Sequence, residues 1–344
     1  DIIIKDKDIT NNKSSVRIRV LNEDVKKYWL FDDLDNIKID AVVKTKLNDI
    51  DINNYLIRFS LSNEETIKKI DINKYNNRNI KKYFRLKNRY SVYTNDDEFR
   101  IDISTTKSIS GHSFKESNIF NTTNEYELEL EYIGKNKNNS DKSLSNNLLK
   151  YTWLILSLLD NSLNILSVDD KEDILNGYRN LVAVKEYHKT FYSNFIAANP
   201  VTLHIANLIY SSNKQNILNK YAVTLKADGE RNLLYIHKSK NFKLNGNLYL
   251  INNLFDILSM GYKDTNMAGT LIEGEYIKEN NLFLAYDILF YKGADVRLNP
   301  LNIIISKKLN TNSRIDYLNN FIKEIKINYN ENYNGVNILK IELK

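Results

Sequence analysis

The chain has 344 residues, of which 42% are hydrophobic and 27% charged. That is a globular rather than a disordered composition, long enough for two domains with separate cores. A net charge of +6 suits an anionic partner such as RNA without requiring one. The absence of cysteine excludes disulfides and Cys-containing zinc sites. With four scattered histidines, any metal must be held by carboxylate oxygens, which favours Mg2+ or Mn2+. No apolar run approaches the roughly 20 residues of a membrane-spanning helix, and no signal peptide is visible, so no membrane partner is expected. The start at Asp1 fits a portion of a longer protein, and heavy use of Asn, Ile, Lys and Tyr with two prolines fits an AT-rich genome.

Residues 1 to about 60 alternate loosely between apolar and polar, as in Val16-Arg17-Ile18-Arg19-Val20, and read as strands. Ser62-Asn63-Glu64-Glu65 before Ile67 and Ile70 reads as a capped short helix. In Tyr83-Phe84-Arg85-Leu86-Lys87-Asn88-Arg89-Tyr90 the period of two sets Arg85, Lys87 and Arg89 on one strand face. Arg100 and Asp102 share a face in the next strand. Residues 124–132 then place Glu125, Glu127, Glu129 and Glu131 on one side and Tyr126, Leu128, Leu130 and Tyr132 on the other. Such rows are either solvated faces or the lining of an ion site. A closed barrel would set the basic and acidic rows across one lumen, with carboxylates on a divalent ion and Arg and Lys on a polyphosphate.

Gly134 to Asn147 reads as a polar loop. A core helix is expected over 144–166, with Leu148, Leu149, Trp153, Leu156, Leu159 and Leu163 at helical spacing, and a second near 172–184. The domain boundary is placed near residue 167, within roughly 15 residues. Further on, Ala222, Val223 and Leu225 read as a strand, and Leu233 to Ile236 as another. Between them lies Lys226-Ala227-Asp228-Gly229-Glu230-Arg231, a tight turn with a lysine that becomes nucleophilic where neighbouring cations lower its pKa. Strands are also expected at Gly269 to Ile277, containing Glu273-Gly274-Glu275, and at Phe283 to Leu289, containing Tyr286-Asp287.

The Lys226 hexapeptide resembles the KxDGxR signature of covalent nucleotidyltransferases, the superfamily of DNA ligases, RNA ligases and mRNA capping enzymes. Pro200-Val201-Thr202-Leu203 upstream, the EGE strand and the YDIL strand are similar to further motifs of capping enzymes, in the same order. The order RxKxR, RID, ExExE before an aromatic resembles the triphosphate-tunnel RNA 5′-triphosphatases of fungi and large DNA viruses. That family has two glutamate-pair strands. No Glu-x-Glu strand occurs in the first 80 residues, so the other pair lies upstream, is replaced, or is lost together with activity.

The resemblance implies an α+β chain of two domains. Residues 1–167 would be an antiparallel β-tunnel with Arg85, Lys87, Arg89 and Arg100 on the triphosphate and Glu127, Glu129 and Glu131 on Mg2+ or Mn2+. Residues 168–344 would be a partial guanylyltransferase domain, ending before motif IV, the lysine-pair motif V and the OB-fold. In it Lys226 would attack GTP, Arg231 bind ribose or phosphate, Glu275 ribose or metal, and Tyr286 stack on guanine. The implied partners are triphosphate-ended RNA, GTP, a methyltransferase domain or subunit and the transcription machinery, in the host cytoplasm or virion of a large DNA virus or with a cytoplasmic linear plasmid. Two other readings stay open from the residues: an ATP-dependent polynucleotide ligase, and an inert RNA- or partner-binding module.

Overall fold

The computed structural model describes residues 1–4, 14–21, 23–134, 141–182, 195–197, 201–209, 216–218, 221–301, 312–325, 328–329 and 339–344. The chain divides into two compact units, Asp1–Leu154 and Ile155–Lys344. The division falls ahead of residue 167, inside a helix.

In the first unit β1 (Ile2–Ile4), β2 (Ser14–Val20), β3 (Ile39–Ile52), β4 (Ile57–Thr66), β5 (Lys82–Tyr93), β6 (Phe99–Gly111) and β7 (Glu125–Tyr132) form one antiparallel sheet. Its order is β4-β3-β2-β1-β5-β6-β7. Period-two alternation sorts its faces. Ile2, Val16, Ile18, Ala41 and Phe84 are buried on one side, against Tyr28 of α1 (Asp24–Phe31) and Tyr75 of α2 (Ile72–Asn76). Their sequence neighbours Arg17, Arg19, Arg85 and Lys87 therefore fall on the other. β4 runs through Thr66 and pairs with β3 as far as Thr66↔Val42, so the helix expected at Ser62 to Ile70 is not formed. Ladder pairing outweighs the local capping signal.

Helix α3 (Asp141–Leu159) is shorter than the expected 144–166. Asn161 takes a left-handed φ of 48° and the Ser162 N–H closes on Ser157 O at 3.0 Å, a helix-stop arrangement that Asn tolerates. Leu149, Trp153 and Leu159 of this helix are exposed, at 60%, 44% and 67%, so core packing does not account for them.

The second unit is built on β8 (Glu230–Ile236), β9 (Asn247–Ile251), β10 (Ile257–Lys263), β11 (Thr270–Ile277), β12 (Leu282–Tyr291), β13 (Ala294–Asp295), β14 (Asn328–Tyr329) and β15 (Lys340–Leu343). The order is β13-β12-β11-β8-β9-β10-β14, antiparallel, with β15 parallel to β12. Both faces are covered, so the run Leu233 to Ile236 is buried throughout. Ile174 and Tyr178 of α4 (Val168–Val182) pack with Leu233, Tyr235 and Leu271 on one face. Leu318 and Phe321 of α5 (Arg314–Glu324) pack with Leu234, Ile272 and Phe283 on the other. α4 starts four residues before the expected 172, where Ser167 Oγ accepts from Asp170 N at 3.1 Å. Among the described residues no helix is long and apolar enough to cross a membrane.

The strand expected at Ala222 to Leu225 is absent: residues 221–228 are irregular, with Val223 96% and Leu225 89% exposed. The ladder begins only at Glu230, opposite Tyr276, so there is no hairpin at the lysine. Gly229 serves another purpose, since a Cβ there would lie 3.0 Å from Tyr276 O. The strands expected around Glu273-Gly274-Glu275 and Tyr286-Asp287 are formed, as β11 and β12.

Candidate functional site

Two charged sites stand out, one in each unit. In the first, β6 runs between β5 and β7 without a register break, pairing Arg89↔Ser104↔Glu127 and Ser91↔Asp102↔Glu129. The basic row of β5 and the acidic row of β7 therefore lie on one face, one strand apart. This corrects the expectation that they oppose each other across a lumen: a shared antiparallel neighbour brings their side chains into direct contact. Lys87 Nζ lies 2.6 Å from Glu129 Oε2 and 2.9 Å from Glu127 Oε2. Arg85 pairs with Glu127 and Arg100 with Glu131. Asp102, fully buried, accepts from Arg100 at 2.9 and 3.0 Å and lies 3.2 Å from Arg89. All seven residues expected at this site share one network.

The face extends further than the sequence pattern indicated. Arg17 and Arg19 of β2 belong to it, and so does Glu64 of β4, 3.1 Å from Lys44. Arg17 is level with Tyr83 and Glu129 with Ser91, so the two are four strands apart and also well out of step along the ladder, on the order of 30 Å on a flat sheet. Glu129 nonetheless acts electrostatically on Arg17, as does Glu64 from near the opposite edge. The right-handed twist of a sheet with strands this long curls the charged face into a trough and shortens such separations. Among the described residues β4 and β7 do not pair, so the path is open at its edges.

Burial of its guanidinium, with Arg85 and Arg19 nearby, lowers the Arg17 pKa. Burial alone would raise Glu127, but Lys87 and Arg85 outweigh it and hold its carboxyl below the ordinary value. The same contest, won by Arg100, Ser91 and Arg89, lowers Asp102. Carboxylate oxygens are the right donors for Mg2+ or Mn2+, and Glu129 and Glu131 are half exposed. As arranged, these carboxylates face cations, and among the described residues no three acidic or histidine side chains converge as a metal cluster.

In the second unit β11 lies between β8 and β12, with Arg231↔Glu275↔Leu284 and Leu233↔Glu273↔Asp287 in register. The ladder slips between Glu273 and Gly274, leaving Tyr286 as the extra residue of β12. A bulge of this kind re-aims a side chain. The Tyr286 hydroxyl donates to Glu273 Oε1 at 2.9 Å, and Arg231 Nε donates to the same oxygen at 2.9 Å. Burial raises the Tyr286 pKa, and the Glu273 charge raises it further. Lys344 Nζ donates to Glu275 Oε1 at 2.9 Å and lies 5.3 Å from the Tyr286 ring centroid. Glu275 Oε2 is buried without a hydrogen-bond partner.

Arg231, Glu275 and Tyr286 are thus brought together, with Glu273 and Lys344 added; no spacing signal marked Lys344, which arrives through the parallel pairing of β15 with β12. Lys226 is not among them. It is exposed, and its ammonium contacts the adjacent Ala227 carbonyl at 3.5 Å. Arg297 is held by Asp295 at 2.7 Å against the Phe290 ring.

A curved face of paired Arg, Lys and Glu, and a second sheet carrying a glutamate pair with arginine and tyrosine, suit a protein that handles phosphate groups. Over 231 residues the chain is 33% identical to a probable mRNA-capping enzyme of Acanthamoeba polyphaga mimivirus. The match takes in 64% of this chain and 17% of that relative, so the chain spans less than a fifth of the relative's length. A solved structure of the RNA triphosphatase domain of a trifunctional mimivirus mRNA capping enzyme is 23% identical, with a TM-score of 0.32, over 43% of this chain and 69% of that one. No protein-family model matches the chain. The likeness to that probable mRNA-capping enzyme extends over 64% of this chain and is not confined to short motifs.

Proposed function

We propose that the chain carries two steps of mRNA 5′ capping: removal of the RNA 5′ γ-phosphate by the first unit, and transfer of GMP by the second. The 33% identity to a probable mRNA-capping enzyme over 231 residues carries this reading. In the first unit an incoming triphosphate takes Arg85, Lys87, Arg89 and Arg100 from their carboxylate partners, exchanging one set of charge-assisted bonds for another. Glu127, Glu129 and Glu131, so released, would hold Mg2+ or Mn2+, which would polarise the phosphate attacked by water.

In the second unit Lys226 loses a proton and its Nζ attacks the α-phosphorus of GTP. A P–N bond forms, and the bond to the bridging oxygen breaks with pyrophosphate leaving. The diphosphate RNA end then takes the GMP and Lys226 is restored. Arg231 binds ribose or phosphate, Glu275 ribose or metal, and Tyr286 the guanine ring. Bound nucleotide would bring Lys226, Arg231, Glu275 and Tyr286 to one ligand. A methyltransferase domain or subunit, the transcription machinery and a site of action in host cytoplasm or virion belong to the same proposal.

Incubation of the chain with α-labelled GTP, followed by a denaturing gel, tests the transfer step. A labelled adduct that disappears in Lys226→Ala is the expected result. An adduct formed only from ATP, or one that survives the substitution, would sink this reading.

A further inference from the structure

Seven side-chain polar atoms of the described chain are buried without a hydrogen-bond partner, and five of them lie on the trough face of the first unit. They are Arg17 Nε, Ser104 Oγ, Thr106 Oγ1, Ser108 Oγ and Glu127 Oε2, the last within ion-pair distance of Lys87. Buried polar groups without partners are few in folded proteins, and each costs free energy to desolvate. Three successive ones on a single strand face need a cause.

Ser104, Thr106 and Ser108 follow Asp102 at period two on β6, so they share its face. Ser104 is 2% exposed and Thr106 is fully buried. Across the ladder Ser104 faces Arg89, Thr106 faces Lys87 and Ser108 faces Arg85. Each basic residue of β5 therefore has a hydroxyl beside it at the floor of the trough. Successive rungs rise about 7 Å, so three of them span about 14 Å, the reach of an extended chain of groups rather than of one small ion.

We propose that Ser104, Thr106 and Ser108, with the Arg17 guanidinium, are the floor of a binding site for a linear oligophosphate, donating to its non-bridging oxygens. This deepens the triphosphatase reading of the same trough and rests on it. Hydroxyls are suited to the task because they donate to an anion without tying up a carboxylate. The bound oxyanion supplies the acceptors that the protein lacks, while the cations of β5 neutralise its charge.

The test uses the full chain and inorganic tripolyphosphate, titrated calorimetrically. Thr106→Val and Ser104→Ala each weaken binding about tenfold, the worth of a hydrogen bond to a charged group. Thr106→Ser restores it. Neither Thr106→Val nor Ser104→Ala lowers the melting temperature, because neither breaks a bond inside the protein. Unchanged affinity in both variants, with Lys87→Ala losing binding, would overturn the floor and leave the triphosphatase reading standing. Failure of the unsubstituted chain to bind tripolyphosphate would overturn both. Should Thr106→Val fail to fold, Ser104→Ala and Thr106→Ser decide between these outcomes.

Discussion

Glu273→Gln isolates the charge at the centre of the second site. The Glu273 side chain is 7% exposed and its Oε1 accepts from both Arg231 and Tyr286. Glutamine keeps an oxygen for the tyrosine but leaves the Arg231 guanidinium, 29% exposed, without its counter-charge. Breaking a buried pair from one side costs about 3–5 kcal/mol. Partial access of Arg231 to water reduces that to about 2–3 kcal/mol. For a unit of this size the loss corresponds to a fall in melting temperature of roughly 5–10 °C, measured by scanning calorimetry on the whole chain. The same substitution removes the Glu273 charge, which after burial is the next cause that raises the Tyr286 pKa, so its phenol should titrate at lower pH, as followed by ultraviolet absorbance. Burial, the larger cause, keeps it above the ordinary value of 10.0. An unchanged melting temperature together with an unchanged phenol titration would refute the assignment of Glu273 as the charge that organises Arg231 and Tyr286.

Other outcomes follow from the packing of the same unit. His237 is fully buried between Asp173 and Tyr235, and burial, opposed by Asp173, lowers its pKa from 6.5. Unfolding raises the pKa back, so the unfolded state binds the extra proton and the stabilisation is complete above pH 6.5. Melting temperature should fall as pH drops below that value, and His237→Gln should flatten the slope; a steep slope retained in the variant would contradict the assignment. Gly274→Ala sets a Cβ 2.6 Å from both Leu284 O and Phe283 Cε1, where the bulge holds β12 close. It should destabilise by about 3 kcal/mol in urea unfolding, and a neutral result would show that β12 can shift without cost.

Much of both sites was legible as strand periodicity. Arg85, Lys87 and Arg89, and Glu127, Glu129 and Glu131, were sorted correctly onto faces because side chains alternate regardless of what pairs with them. Their relation to one another was not legible. That β5 and β7 flank the same strand is a fact of long-range register, and it turned an expected pair of opposing walls into one ion-paired surface. Glu64 was hidden because its local Ser-Asn-Glu-Glu sequence carries a helix signal that pairing with β3 overrides. Arg17 and Arg19 follow the same alternation as Arg85, but strand periodicity by itself indicates no chemistry.

In the second unit the EGE and YDIL strands were legible from their apolar flanks, yet the bulge that directs Tyr286 onto Glu273 has no sequence mark. Lys344 joins through a parallel strand pair that periodicity cannot reveal. The strand expected before Lys226 had apolar alternation but, among the described residues, no neighbouring strand to pair with.

Release of phosphate from 5′-triphosphate RNA by the full chain, with Mg2+ or Mn2+ and compared with Lys87→Ala, tests the capping reading of the first unit most directly. The ammonium of Lys87 stands between Glu127 and Glu129 at 2.9 and 2.6 Å. Its loss should cut the rate by about 100-fold. No release by the unsubstituted chain, or an undiminished rate in Lys87→Ala, would contradict the account.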